Sequence, residues 1–134
     1  MTISITTLIE QAISASQNAY VPYSNYHVGA ALLSTDNQVF TGCNVENSAY
    51  PAGICAERTA VVKAVSEGVK DFQTIVVATK NAGSPCGICR QVMNEFAPQM
   101  RVVLVDFDGA IALDTTVADL LPAGFSKQDL NITE

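Results

Sequence analysis

Two short segments hold the residue types that can do chemistry: Cys55-Ala56-Glu57, and further along Pro85-Cys86-Gly87-Ile88-Cys89. Three uses compete for these cysteines. The Cys86–Cys89 pair at a helix start has the form of a redox dithiol, since helix N-termini lower thiol pKa. That use leaves Cys55 and Glu57 without a role. A closed structural zinc could take all four cysteines. Cys43, however, ends a strand without paired-ligand spacing to Cys55, and an isolated cysteine there is more commonly a core residue. A catalytic zinc would take three cysteines and keep a fourth position for water, whose pKa can fall to about 7. Hydroxide chemistry also needs a proton carrier. Glu57, two residues beyond Cys55 in the same helix start, is suitably placed. Its alternative role is a first-turn Glu favoured by the helix dipole. Three thiolates around a divalent cation carry excess negative charge. Two helix N-termini and the adjacent Arg58 can offset it, Arg58 having a surface ion pair as its alternative role.

The elements that must position these residues follow from periodicity and turn chemistry. Thr6 or Thr7 can cap a first helix, with Leu8, Ile9, Ala12, Ile13 and Ala15 as its apolar stripe. Residues 27–34 and 38–43 read as a hairpin around Asp36-Asn37, and residues 44–54 as a polar loop. A helix spans about Cys55 to Glu67 and stops at Gly68; an interior strand spans 73–80. A third helix runs from Cys86 to Phe96, followed by a strand at 101–106. The Asp108-Gly109 turn sends IALDT back as an antiparallel edge strand. Thr116 and Asp119 cap a short helix ending before Pro122. This order predicts an α/β fold: a mixed sheet with helices on both faces and a right-handed crossover through strand 73–80, helix 86–96 and strand 101–106. Both cysteine segments then open helices at strand ends, where sites in such sheets gather.

Composition narrows the function. The 134 residues fit one domain, 1–134, and 49% apolar with 15% charged residues excludes disorder. A net charge of −6, with scattered Lys and Arg, argues against nucleic acid as a partner. No apolar run approaches the ~20 residues of a membrane span, and the first residues lack a secretory pattern. The expected compartment is the cytoplasm, where thiols stay reduced. The low charged fraction suggests surface buried against other subunits.

The blocks VPYSNYHVGAAL, TGCNVENSAY, CAERTA, SPCGICRQ and LLPAGF, in this order, resemble the zinc-dependent cytidine deaminases of the small nucleoside type. The resemblance implies a three-layer α-β-α fold with a mixed five-stranded sheet. It implies one zinc per subunit on Cys55, Cys86 and Cys89. Glu57 would move a proton from the zinc-bound water to ring N3 and later to the leaving amine, while hydroxide attacks C4 and ammonia departs. Arg58 would moderate thiolate charge. The Ala56 N–H and the Ser84 carbonyl match positions that hold the base edge. Asn44 and Glu46, which face the same way in an extended chain, match those that take the sugar 3′-hydroxyl. Ala49, Tyr50 and Phe125 match positions that reach a neighbouring subunit's site, implying a homotetramer with shared active sites. For Phe125 the local pattern alone favours a C-terminal core anchor. The family usually carries Phe where this chain has Tyr26, and a buried hydroxyl there needs a partner.

The implied function is hydrolytic deamination of cytidine and 2′-deoxycytidine in pyrimidine salvage. The alternative is a blasticidin-S-type deaminase with the same zinc core; retention of both Asn44 and Glu46 favours a nucleoside. A redox protein or a structural-zinc interaction module belongs to a different class, and metal content separates them. His27, alone at a strand start, has no ligand role.

Overall fold

Alternation between two buried faces organises the three inner strands of this computed structural model, which describes residues 2–132. Strand β1 (Gly29–Ser34) sends Ala30 and Leu32 to one face and Ala31 and Leu33 to the other. In β3 (Phe72–Ala78), Ile75 and Val77 oppose Val76 and Ala78; in β4 (Arg101–Val105), Val102 and Leu104 oppose Val103 and Val105. A strand covered on both sides needs apolar residues at every position, hence the unbroken runs GAALL, TIVVA and VVLV. With β2 (Val39–Cys43) and β5 (Ile111–Thr116) the sheet has five strands in the order β2-β1-β3-β4-β5. Only β3 and β4 pair in parallel; the other three pairings are antiparallel, as expected of a mixed sheet.

Helix α1 (Ile5–Ser16) covers one face through Leu8 and Ala12. Helices α2 (Ala56–Ser66) and α3 (Gly87–Phe96) cover the other, joined by Val117 of the short α4 (Val117–Leu120). The cap of α1 is Ser4, whose hydroxyl accepts from the Thr7 N–H, rather than Thr6 or Thr7 themselves. The apolar stripe was informative about the helix but not about its first turn, where several hydroxyls compete. Strand β3 stops at Ala78, earlier than the apolar pattern suggests, because Thr79 and Lys80 turn into the loop before α3. The 44–54 loop is more structured than its composition indicates. Val45 bridges both Tyr20 and Ile54, and Tyr50–Ala52 forms a 3₁₀ turn. A further 3₁₀ turn at Lys127–Leu130, closed by a Ser126–Asp129 capping box, went unread in the sequence.

Close helix–sheet contact at one glycine sets the position of α2. A Cβ on Gly42 would lie 2.5 Å from the Ala56 carbonyl oxygen and 2.6 Å from the Ala60 nitrogen. Both atoms are helix backbone and cannot swing aside. Gly42→Ala is therefore expected to displace the first turn of α2 and to destabilise the fold by at least the ~1–3 kcal/mol of core overpacking. A urea titration checks it; an unchanged midpoint would show that α2 is free to adjust.

Candidate active site

Cys55 and Cys86 occupy the N-cap positions of α2 and α3, yet neither side chain caps its own helix. Ser, Thr, Asp or Asn would be the stabilising choice there. The thiols instead turn toward each other and toward Cys89 in the first turn of α3. Sγ of Cys86 lies 3.8 Å from that of Cys55 and 3.4 Å from that of Cys89, and the three sulfurs all lie within 4.8 Å of one another. A local rule broken at two helix starts, with the gain realised between elements, is what a site looks like in sequence terms. The hydroxyl of Thr59 fastens this corner by bonding the carbonyls of Cys43 and Cys55, at 3.0 and 3.2 Å. The Cys43 thiol is not part of the cluster.

Charge at the cluster is balanced by proton placement and by one cation. The Cys89 thiol, hydrogen-bonded to Cys55, pulls the Cys55 pKa down to about 5 against the opposing effect of burial; Arg58 and Cys86 add to the pull. Cys89 is pushed upward by the same bond, then by burial and by Glu57. Arg58 brings Nη2 to 3.6 Å from the Cys55 sulfur, and its Nε is buried with no hydrogen-bond partner. A guanidinium held at a thiol with its Nε buried at that cost fits sulfurs that carry negative charge when a cation binds. Three convergent soft thiols are a donor set that suits zinc, and three protein ligands leave a fourth position open. The residues therefore fit a zinc ion.

Glu57 sits in the first turn of α2, only 4% exposed. Burial raises its pKa to about 7, opposed by a hydrogen bond with its own backbone, reinforced by the Cys55 charge and opposed again by Arg58. A carboxyl poised near neutrality can both accept and release a proton at working pH. A bound divalent cation would draw that value down.

Cys55, Cys86 and Glu57 line a cavity of about 280 Å³ that also touches Val77 and Thr79 at the end of β3, while Cys89 completes the thiol cluster from the core. The walls are Tyr26, Val28, Gly83 and Ser84, and Asn44 and Glu46 stand in the same cavity. Both of the latter are held by backbone. The Asn44 amide accepts from the Val28 N–H at 2.9 Å and donates to the Tyr26 carbonyl at 2.8 Å. Glu46 accepts from the N–H groups of Tyr23 and Ser24 and from the Ser24 hydroxyl, and these bonds, the hydroxyl first, lower its pKa. Each retains acceptor capacity, and Asn44 a second N–H, for a ligand hydroxyl.

Not every expected residue is in this cavity. Ala56 is buried in α2 beside it. Ala49, Tyr50 and Phe125 are absent from its lining, and Tyr50 and Phe125 are exposed at 75% and 56%. Phe125 is nonetheless anchored, its carbonyl accepting from Gln91 and Asn94 at 2.8 and 3.1 Å. The side-chain exposure rules out the core-anchor role within this chain.

Arg90, one of the scattered cations in the sequence, has a role in the site that its sequence position does not reveal. Its guanidinium bonds the Pro85 carbonyl at 2.8 Å, the Leu120 carbonyl at 2.7 Å and the Ser84 hydroxyl at 2.7 Å, so it fixes the segment leading into Cys86. Position i+1 after the CxxC pair was the available signal, but the partner that ties it across the fold, Leu120 at the end of α4, is 30 residues away. Ser24 and Asn81 are likewise hidden in the sequence, because they meet Glu46 and Tyr26, 22 and 55 residues away.

A family model described as "Cytidine and deoxycytidylate deaminase zinc-binding region" matches residues 3–105. The chain belongs to the cytidine deaminase family and is a hydrolase enzyme of that family. It is 52% identical over 127 residues to a cytidine deaminase of Sporosarcina psychrophila, covering 92% of this chain and 93% of the relative. The crystal structure of cytidine deaminase from Burkholderia pseudomallei matches with a TM-score of 0.87 and 45% identity, covering 92% of this chain and 100% of that one. A blasticidin-S deaminase of Bacillus cereus is more distant, at 31% identity over 78% of this chain and 80% of that relative. Among the described residues no helix is long and apolar enough to cross a membrane.

Proposed function

We propose that this enzyme deaminates cytidine and 2′-deoxycytidine hydrolytically to uridine and 2′-deoxyuridine, releasing ammonia, as a step of pyrimidine salvage in the cytoplasm. One observation carries the reading: two thiols of the three-cysteine cluster, Cys55 and Cys86, and the buried Glu57 carboxyl line one cavity with a backbone-braced amide and carboxylate. The first group suits an amidine carbon; the second suits a sugar hydroxyl, which both donates and accepts.

Cys55, Cys86 and Cys89 would hold one zinc ion per subunit, which supplies the Lewis acidity that acidifies a water molecule. Glu57 accepts a proton from that water and passes it to ring N3. As the water oxygen bonds to C4, Glu57 takes the second proton from that oxygen and gives it to the amine; the C4–N bond breaks, the C4 carbonyl forms, and ammonia leaves with one water consumed. Arg58 offsets charge on the thiolates. The Ala56 N–H and the Ser84 carbonyl hold the edge of the base, Tyr26 forms the wall beside it, and Asn44 and Glu46 bind the 3′-hydroxyl. Because contact is at the 3′ position, ribose and deoxyribose are both accepted. Ala49, Tyr50 and Phe125 serve the site of a neighbouring subunit in a homotetramer; their position outside this chain's own cavity supports that assignment.

The test is a side-by-side turnover assay with cytidine, 2′-deoxycytidine, cytosine and blasticidin S, followed by ultraviolet absorbance. Both nucleosides should be consumed, with kcat/KM at least about tenfold above that of the free base, since losing buried hydrogen bonds to a sugar costs that much or more. Turnover of blasticidin S with none of cytidine would replace the nucleoside reading by the antibiotic one.

A further inference from the structure

Tyr26 hydrogen-bonds to two segments that line the cavity or lead into it, through its backbone and through its side chain. On its backbone side, the carbonyl accepts from Asn44 and the N–H donates to the Ser24 hydroxyl, which in turn donates to Glu46. On its side-chain side, the phenolic hydroxyl donates to Asn81 Oδ1 at 2.6 Å, in the loop between β3 and α3. Asn81 Oδ1 also accepts from the Thr79 hydroxyl at 3.3 Å, and the Thr79 oxygen accepts from the Gly83 N–H at 2.6 Å. The ammonium of Lys80 lies 5.7 Å from the centre of the Tyr26 ring, a second hold on the same side chain. Within this loop Ala82 adopts φ +54°, a left-handed conformation that alanine disfavours and that its surroundings must therefore impose. A Cβ on Gly83 would lie 2.6 Å from the Tyr26 hydroxyl, with its next neighbours, on Asn81 and Thr79, at 3.5 Å. The hydroxyl thus occupies the space that a side chain at position 83 would need.

We propose that the Tyr26 hydroxyl is a latch that sets the position of residues 79–84 against the cavity, and that Gly83 is required because the latch fills the space beside it. Tyr26 is in this respect a positioning residue, acting on bound base through the loop that carries Ser84. The inference rests on the nucleoside reading given above.

Tyr26→Phe removes the hydroxyl while keeping the ring. KM for cytidine is expected to rise about threefold to tenfold, the range for one hydrogen bond, with kcat changed less than about twofold and metal content retained. Asn81→Ala removes the acceptor from the other side and should give a similar rise that does not add to that of Tyr26→Phe. Gly83→Ala should raise KM at least as far, because its Cβ displaces the hydroxyl. In the Gly83→Ala background, Tyr26→Phe should then lower KM, reversing the sign of its effect. A merely structural contribution would not show that reversal. Amide hydrogen exchange supplies a readout without substrate: residues 79–84 should exchange about tenfold faster in Tyr26→Phe. Unchanged KM and unchanged exchange in Tyr26→Phe would overturn the latch, as would simple addition of the Tyr26→Phe and Gly83→Ala effects. Failure of the unsubstituted enzyme to act on cytidine would instead overturn the nucleoside reading, leaving the exchange measurement to decide the latch.

Discussion

Glu57→Gln should retain one zinc per chain and lose turnover by a factor of about 10²–10⁴, the usual contribution of a positioned proton carrier. Gln has nearly the shape of Glu, so the packing of the first turn of α2 around a side chain only 4% exposed is preserved. The substitution leaves the side chains of Cys55, Cys86 and Cys89 in place. What disappears is the buried carboxyl in the cavity beside Cys55 and Cys86, the group that takes up and releases the proton. The amide cannot exchange a proton with N3 or with the departing amine. Because the loss lies in proton transfer, kcat should fall far more than KM rises. Steady-state kinetics with metal analysis on the same sample checks both halves. Turnover within tenfold of the unsubstituted enzyme would remove Glu57 from the mechanism.

Cys89→Ala is expected to lower metal affinity by more than about a hundredfold, since loss of even an outer-shell partner of a metal site typically costs 10–100-fold. Activity should fall with it. Cys89 is fully buried among the α2 and α3 core residues. The substitution therefore removes a ligand and also opens a small void, and thermal stability should drop because metal binding and folding are coupled. Cys43→Ala serves as the control. That cysteine is free, half-buried at the end of β2, and touches the site through its backbone carbonyl, which the substitution keeps. It should keep full metal content. Full zinc occupancy in Cys89→Ala after exhaustive dialysis would disqualify Cys89 as a ligand, and metal loss in Cys43→Ala would reinstate the four-cysteine alternative.

Much of the fold was legible because its signals are short-range. Buried-strand runs, the Asp108-Gly109 turn with φ +86° at Gly109, the stop at Gly68 with φ +88°, and the Thr116 cap on the Asp119 N–H each depend on a few neighbouring residues. The misread boundaries also have local causes. Ser4, Thr6 and Thr7 offer equivalent hydroxyls, and an apolar run such as QTIVVATK shows no break where Thr79 leaves the sheet. Harder to see were polar contacts that join segments far apart in sequence. Tyr26 and Asn81 are 55 residues apart, Arg90 and Leu120 are 30 apart, and neither pair follows any periodicity.

Sequence by itself determined the parts of the site and their attachment to helix starts. A cysteine at an N-cap, another one turn later and a Glu in the first turn are positions along single helices, and helix geometry fixes what they can present. The five matching blocks then identified the family to which such a set belongs. Tertiary structure alone decided which of these groups meet. The strand order β2-β1-β3-β4-β5 places β1 beside β3, and α2 and α3 pack on one face of that sheet. That packing brings Cys55 to Cys86 and Cys89 and leaves the Cys43 thiol out of the cluster. It also sets Asn44 and Glu46 in the same cavity as Glu57 and leaves Phe125 outside. Long-range packing is settled by the burial of whole faces rather than by the few residues that do chemistry, so no local pattern records it.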